Sequence, residues 1–140
     1  MPRVVAIDPG TRRVGIAVSD ESALIAQPLR AVAAEPVATL GARLAAIVTE
    51  LGASEVVVGL PRRLDGSLGP AAKKARDLAD ELREQTRLPV ALVDERLSTA
   101  AAERSLLAAG RRRAQRRHEV DAVAAALILE TYLAGRRRRD

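Results

Sequence analysis

Three carboxylates that lie far apart in the chain each stand where a folded protein would hold a side chain rigidly. Asp8 follows the apolar run 4–7 and precedes Pro9-Gly10, which is typical of a turn at the end of a buried strand. Glu95 lies two residues after a similar run, 89–93. Asp121 shares a helical stripe with Ala124, Ala125, Ile128 and Tyr132, all within about 60° of it around the helix axis. If these acids meet, Mg²⁺ or Mn²⁺ would relieve their repulsion and could support phosphodiester hydrolysis.

Each of these acids also has a purely structural explanation. Asp8 could stabilise its own turn, because an Asp side chain accepts hydrogen bonds from the backbone two residues on. Asp94 and Glu95 could stabilise the start of the helix that is predicted next. Asp121 faces inward and needs a partner, which would be either a nearby arginine such as Arg117 or a metal ion shared with the other two acids.

The elements that must position these acids follow from hydrophobic periodicity and turn residues. The pattern predicts strands at 4–7, 14–18, 24–32, 55–60 and 89–93, and helices at 36–51, 70–86, 98–109 and 119–133. Pro28 places the third strand at an edge, because proline cannot donate to a sheet on both sides. Short connections make the first three strands antiparallel, and intervening helices make the later strands parallel, so we expect an α/β fold with a mixed five-stranded sheet flanked by helices.

Composition limits the classes of protein to which the chain could belong. A length of 140 residues predicts a single domain over residues 1–140. The absence of cysteine excludes disulfides and thiolate metal sites, and is typical of a cytoplasmic protein. The longest apolar run, 122–129, is much shorter than the roughly 20 residues that a membrane helix needs. We therefore expect a soluble protein with no membrane partner.

Positive charge is concentrated near the C-terminus. Residues 1–95 hold 12 basic and 13 acidic side chains, whereas residues 96–140 hold 11 basic and 5 acidic ones. The excess comes from Arg111, Arg112, Arg113, Arg116, Arg117 and the run 136–139. Arginine binds phosphate well, so a nucleic acid is the expected partner, although solvated helix ends would also explain the last run. With Tyr132 as the one aromatic residue, recognition should depend on phosphate and shape rather than on base stacking.

Four segments, in order along nearly the whole chain, resemble the successive signatures of the YqgF (RuvX) family. They are DPGTRRVGIAVSD at 8–20, VGLP at 58–61 with DGS at 65–67, DERLST at 94–99 and VDAVAAALIL at 120–129. The resemblance implies an RNase H-like fold and a cytoplasmic bacterial nuclease, assigned to maturation of the 5′ end of pre-16S ribosomal RNA. It also implies a relationship to Holliday junction resolvases.

The resemblance further implies roles for individual residues. Asp8 matches the acid of the first strand, Glu95 the acid after the last strand and Asp121 the acid of the final helix, with Asp94 as an additional candidate ligand of Mg²⁺ or Mn²⁺. Nucleic-acid contacts are expected from Arg12, Arg96, Arg111, Arg112, Arg113, Arg116 and Arg117. RNA is the expected substrate, and partners in ribosome assembly could present it.

Several alternatives stay open from the sequence. Cleavage of Holliday junctions would use the same chemistry and require a homodimer with two symmetric sites, and the substrate could also be a single-stranded nucleic acid in DNA repair. A noncatalytic RNA-binding module would keep the arginines but would not need three separated acids. The Asp8-x-Gly hairpin also resembles the phosphate-binding hairpin of sugar kinases and actin-like ATPases, which need a second domain.

Overall fold

A computed structural model describes residues 3–61, 65–95 and 113–139, and the side chains of the last helix from 121 to 136. The described strands are β1 (Arg3–Pro9), β2 (Arg13–Ser19), β3 (Ala26–Ala33), β4 (Ala53–Leu60) and β5 (Val90–Asp94). The described helices are α1 (Val37–Glu50), α2 (Pro70–Thr86) and α3 (Arg113–Arg139).

The five strands form one mixed sheet in the order β3-β2-β1-β4-β5. β1 pairs antiparallel with β2, and β2 pairs antiparallel with β3, whereas β4 is parallel to both β1 and β5. This arrangement confirms the predicted mixed sheet. The single-domain organisation over residues 1–140 stays a prediction.

Residues alternate between the two faces of the sheet, and each face supports its own core. Val5, Ile7, Val56 and Val58 pack with α1 and α2 on one face. On the other face, Val4, Ala6, Ala17, Val57 and Val93 pack against the apolar side of α3. Because strand side chains alternate, Asp8 belongs to the α3 face, together with Val4 and Ala6.

The strand β3 lies at one edge of the sheet, as Pro28 predicts. Pro28 is exposed and stands opposite Ala17, where the register shifts between Ile16 and Ala17. A proline here lacks an N–H group on a strand that has only one neighbour, so the sheet tolerates it.

The Asp20 side chain organises the loop between β2 and β3. Its Oδ1 accepts hydrogen bonds from the backbone N–H groups of Leu24 at 2.8 Å and Ile25 at 2.9 Å, and its Oδ2 accepts one from the Ser22 hydroxyl. The hydrogen bond from Ile25, followed by that from Ser22, lowers the pKa of Asp20 to about 2.

The predicted boundaries of α2 agree with the structure, and those of α1 agree to within one residue at each end. The helix α3 is longer than the predicted 119–133, because it continues through the basic residues on both sides, and arginine is a good helix former. The predicted helix at 98–109 lies outside the described residues. Within the described chain, no helix is long and apolar enough to cross a membrane.

Candidate active site

Asp8 lies near the carboxyl end of β1, the central strand, and its residue is only 6% exposed. The strand continues two residues beyond the predicted 4–7, through Pro9, so Asp8 is part of the ladder rather than the first residue of the turn. Its neighbour on β2 is Gly15. On the other side, the pairing of Ile7 with Val58 makes Gly59 its neighbour on β4. Asp8 is therefore a buried carboxylate between two glycines.

The glycine at position 15 lets α3 lie directly on the sheet. A Cβ atom added there would overlap the backbone carbonyl oxygen of Asp121. Real Cβ atoms essentially never come within 3.0 Å of such an atom, and this one would be closer than that limit by roughly 1 Å. The same Cβ would lie 3.2 Å from the backbone nitrogen of Ala122. This close approach brings Asp121, the first residue of α3 whose side chain is described, to the strand residue that pairs with Asp8.

The glycine at position 59 accommodates a later turn of the same helix. A Cβ atom there would lie 2.8 Å from Cδ1 of Ile128 and 3.7 Å from Oδ1 of Asp8. Gly59 thus borders the Asp8 carboxylate while allowing Ile128 to pack on β4.

Asp121 is held by an arginine from β2. The Nε–H group of Arg13 donates a hydrogen bond of 3.0 Å to Oδ2 of Asp121. Both side chains are mostly buried, at 24% exposed for Arg13 and 19% for Asp121. The inward stripe predicted for Asp121 is observed, since Ala124, Ala125 and Ile128 are buried. The arginine partner is Arg13, whereas the side chain of Arg117 is not described.

Glu95 and Asp94 lie at the end of β5, two strands away from Asp8. Gly59, the neighbour of Asp8 on β4, pairs with Val93, and Leu60 pairs with Asp94. Val93 therefore lies level with Asp8 across the sheet, and Glu95 is the first residue after β5. Both acids are partly buried. Among the described residues, no three acidic or histidine side chains come close enough to share a metal ion. The structure brings Asp121 to the strand pair that holds Asp8, but it does not bring Glu95 into one group with them, and the predicted ligand set stays a prediction.

The oxygen donors of this site fit Mg²⁺ or Mn²⁺. Mg²⁺ retains several waters and is commonly bound through one or two carboxylates together with substrate phosphates. Asp8 and Asp121 supply carboxylates near the carboxyl end of the central strand, and hard cations prefer such ligands to sulfur or nitrogen. A third carboxylate is therefore not required for a cation to fit here.

The predicted nucleic-acid contacts are only partly described. Arg12 is exposed in the turn between β1 and β2, next to the site. Arg113, Arg116 and Arg117 belong to the backbone of α3 just before Asp121. Arg96, Arg111 and Arg112 lie outside the described residues. The contacts predicted for these seven arginines stay predictions.

Arg13 is the site residue that the sequence analysis missed. Strand alternation could have identified it, because Arg13 precedes Gly15 by two residues and therefore shares the face that carries Asp8. The sequence motif predicted a role for Arg12 instead, which is exposed in the turn between β1 and β2.

The loop after β4 has a local structure of its own. Oδ1 of Asp65 accepts hydrogen bonds from the backbone N–H of Ser67 at 2.9 Å and from its hydroxyl at 2.6 Å. Gly66, between them, has a φ of 87°, which favours glycine. This Asx turn explains the spacing of Asp65, Gly66 and Ser67 without a role in chemistry.

Comparison with known proteins relates this sequence to one family. A family model described as RuvX, Holliday junction resolvase, matches residues 2–135. A protein from Geobacillus kaustophilus is 47% identical over 137 residues, covering 96% of this chain and 99% of the relative. One from Mycolicibacterium paratuberculosis is 49% identical over 136 residues, covering 96% of this chain and 81% of the relative. Both are named "Putative pre-16S rRNA nuclease", in agreement with the predicted class of ester-bond hydrolase.

A solved structure supports the same assignment at the level of fold. The structure of Thermus thermophilus RuvC in complex with a Holliday junction substrate matches with a TM-score of 0.64 and 19% identity, and covers 96% of both chains. At this identity the likeness shows the fold alone, and it confirms the predicted RNase H-like fold. By its family match and by its identity to full-length relatives, the chain belongs to the RuvX family.

Proposed function

We propose that this protein is a metal-dependent nuclease that hydrolyses phosphodiester bonds and processes the 5′ end of pre-16S ribosomal RNA. One observation carries the proposal: Asp8 is buried near the carboxyl end of the central strand, and α3 brings Asp121 to the neighbouring strand residue, Gly15. Two carboxylates at this edge of an α/β sheet, where ligands commonly bind, suit a cation and a phosphate. The substrate is inferred from the names of the relatives.

Asp8, Glu95 and Asp121 would hold Mg²⁺ or Mn²⁺, with Asp94 as an additional ligand. The cation would supply activation of a water molecule and stabilisation of the charge that develops on the phosphate. The protein's own contribution is to fix Asp8 on a rigid strand and Asp121 on a packed helix. Rigid placement matters because misplacement of catalytic groups by about 1 Å can cost on the order of a hundredfold in rate.

The arginines before Asp121 support a nucleic-acid substrate. Arg117 and Arg113 precede Asp121 by four and eight residues on the continuous backbone of α3. At a rise of 1.5 Å per residue, their Cα atoms are displaced from that of Asp121 by about 6 Å and about 12 Å along the axis. Such a series could follow a phosphate backbone toward the acids, and binding should then weaken as salt concentration rises.

The direct test is cleavage of a labelled RNA that contains the 5′ leader of 16S ribosomal RNA, with Mg²⁺, with Mn²⁺ or with EDTA. Asp8→Asn, Glu95→Gln and Asp121→Asn should each abolish cleavage while keeping the circular dichroism spectrum of the parent. Asp77→Asn is a matched control, because Asp77 is exposed on α2, on the opposite face of the sheet. Full activity in EDTA, or in all three variants, would refute the assignment of the site.

Cleavage of Holliday junctions is the second candidate function, and the description of the matching family model favours it. The same assay should include a four-way DNA junction and single-stranded DNA as substrates. Symmetric junction cleavage would require a homodimer, which analytical ultracentrifugation would detect. A preference for the junction over the RNA would replace RNA processing with DNA repair as the proposed role.

A noncatalytic RNA-binding module is the remaining alternative. It predicts tight, salt-dependent RNA binding without cleavage under any metal condition. Processing of ribosomal RNA would place the protein in the cytoplasm, where ribosome-assembly proteins could present the RNA. Cleavage that appears only with assembled pre-30S particles would support such partners.

A further inference from the structure

Arg13 makes an unusual ion pair at the site. It is the first residue of β2, and the one hydrogen bond that its side chain makes among the described residues reaches Asp121, 108 residues further along the chain. Arginine frequently binds a carboxylate through two parallel hydrogen bonds. Here the described contact uses Nε alone.

The geometry leaves polar atoms available on both partners. Within the described part of the chain, the terminal nitrogens of Arg13 donate no hydrogen bond, and Oδ1 of Asp121 accepts none. Arg13 therefore presents two further donor groups from a side chain that is three-quarters buried. A partly buried, oriented guanidinium is well suited to a phosphate, because little rotamer entropy is left to lose on binding.

We propose that Arg13 binds the phosphate of the nucleic acid at the cleavage site through its terminal nitrogens. Oδ2 of Asp121 orients the guanidinium, which leaves Oδ1 available to a cation. Asp121 thereby serves two partners, and Arg13 is a phosphate-binding residue rather than only a tether between β2 and α3. This inference rests on the proposed nuclease function, because it assumes that the substrate phosphate binds near the carboxyl end of the central strand.

Two other roles of the pair make different predictions. If Arg13 only tethers α3 to β2, its replacement should lower stability and leave the binding of nucleic acid by the folded protein unchanged. If the guanidinium instead competes with the cation for Asp121, its removal should tighten Mn²⁺ binding. Phosphate binding predicts weaker nucleic-acid binding when Arg13 is replaced, and unchanged Mn²⁺ affinity when the replacement keeps the positive charge.

The experiment compares Arg13→Gln and Arg13→Lys with the parent. Fluorescence anisotropy of a labelled single-stranded RNA is measured in EDTA over a range of salt concentrations, so that cleavage does not interfere. Mn²⁺ binding is measured separately by calorimetry on the metal-free protein. Arg76→Gln is the matched control, because it removes one positive charge from an exposed position of α2, on the other face of the sheet.

We expect Arg13→Gln to weaken RNA binding by roughly tenfold or more, since hydrogen bonds to charged groups are the stronger class. The slope of log K against log salt should fall by about 0.7, the value for one phosphate contact on a single strand. Arg13→Lys keeps the charge that pairs with Asp121 and should fold, but one ammonium cannot hold both Asp121 and a phosphate with the arginine geometry, so its RNA binding should also weaken. Mn²⁺ affinity should change less than twofold in Arg13→Lys, which keeps the positive charge beside Asp121.

RNA binding by Arg13→Lys equal to that of the parent would overturn the proposal. So would a loss in Arg13→Gln no larger than that in Arg76→Gln, or severalfold tighter Mn²⁺ binding without loss of RNA binding. Failure of the nuclease proposal would be seen differently, as absence of cleavage by the parent protein on every substrate. The binding measurements report on Arg13 even in that case.

Discussion

Gly15→Ala tests the contact that brings Asp121 to Asp8. The new methyl group would overlap the backbone carbonyl of Asp121, and α3 would have to retreat by roughly 1 Å before the separation reached 3.0 Å. A carbonyl cannot rotate away as a flexible side chain can. The strain must therefore be relieved by movement of the helix or of the strand.

The expected cost is set by two opposing effects. Overpacking of a well-packed interior costs about 1–3 kcal/mol and occasionally more, and the rigid obstacle at Gly15 indicates the upper end. Replacing glycine by alanine also restricts the unfolded chain, which offsets about 0.4–1 kcal/mol. We expect a net loss of about 2–3 kcal/mol. With an unfolding entropy of roughly 0.3 kcal/mol/K for 140 residues, Tm should fall by about 7–10 °C.

Urea and thermal unfolding, followed by circular dichroism, would measure this loss. Gly135→Ala is the control, because Gly135 lies in the same helix and a Cβ atom there would have nothing within 4 Å. Alanine is more favourable than glycine in a helix by about 1 kcal/mol, so this variant should be as stable as the parent or up to about 3 °C more stable. The same chemical change should thus have opposite signs at the two positions.

The reasoning is refuted if Gly15→Ala is as stable as Gly135→Ala. That result would mean that α3 does not rest on β2 at Asp121 in solution. Mn²⁺ calorimetry adds a second readout, because a helix that retreats carries Asp121 away from Asp8. Loss of stability with unchanged Mn²⁺ binding would indicate that Asp121 is not a ligand.

Two further predictions concern buried and loop hydrogen bonds. Ser19→Ala should lower the free energy of unfolding by about 1–3 kcal/mol in urea titrations. Ser19 is only 2% exposed, and its hydroxyl accepts a hydrogen bond of 2.9 Å from the backbone N–H of Val4. An unchanged urea midpoint would mean that a water molecule replaces the hydroxyl. Hydrogen bonds lower the pKa of Asp20 from its ordinary 3.8 to about 2, so the stabilisation by its negative charge is complete well above pH 4 and is lost as pH falls toward 2. The Tm difference between the parent and Asp20→Asn should therefore shrink over that range in melts from pH 6 to pH 2, and a constant difference would contradict the role of the charge.

Local signals in the sequence predicted much of this fold. Pro28 predicted the edge strand, and Gly52, after α1, marked the end of that helix. The inward face of Asp121 followed from helical periodicity. These features depend on residues within a few positions of each other, which a single sequence displays directly.

Long-range pairing was harder to predict. The partner of Asp121 comes from 108 residues away, and the sequence suggested Arg117 because it is one helical turn distant. The close contact at Gly15 likewise depends on how α3 crosses the sheet, which local periodicity does not determine. Whether Glu95 completes the ligand set depends on the same kind of long-range placement.

The small side chains of this protein couple its stability to its chemistry. Its aromatic content is 1%, and α3 presents alanines to the sheet, so the helix approaches closely enough for its backbone to touch Gly15. That approach places Asp121 beside Arg13 and near Asp8. The same close packing positions the acids and stabilises the helix. Substitutions that add side-chain volume between α3 and β2 should therefore lower both the stability of the protein and its cation binding. Changes of charge at Arg13 should instead affect binding while the packing persists.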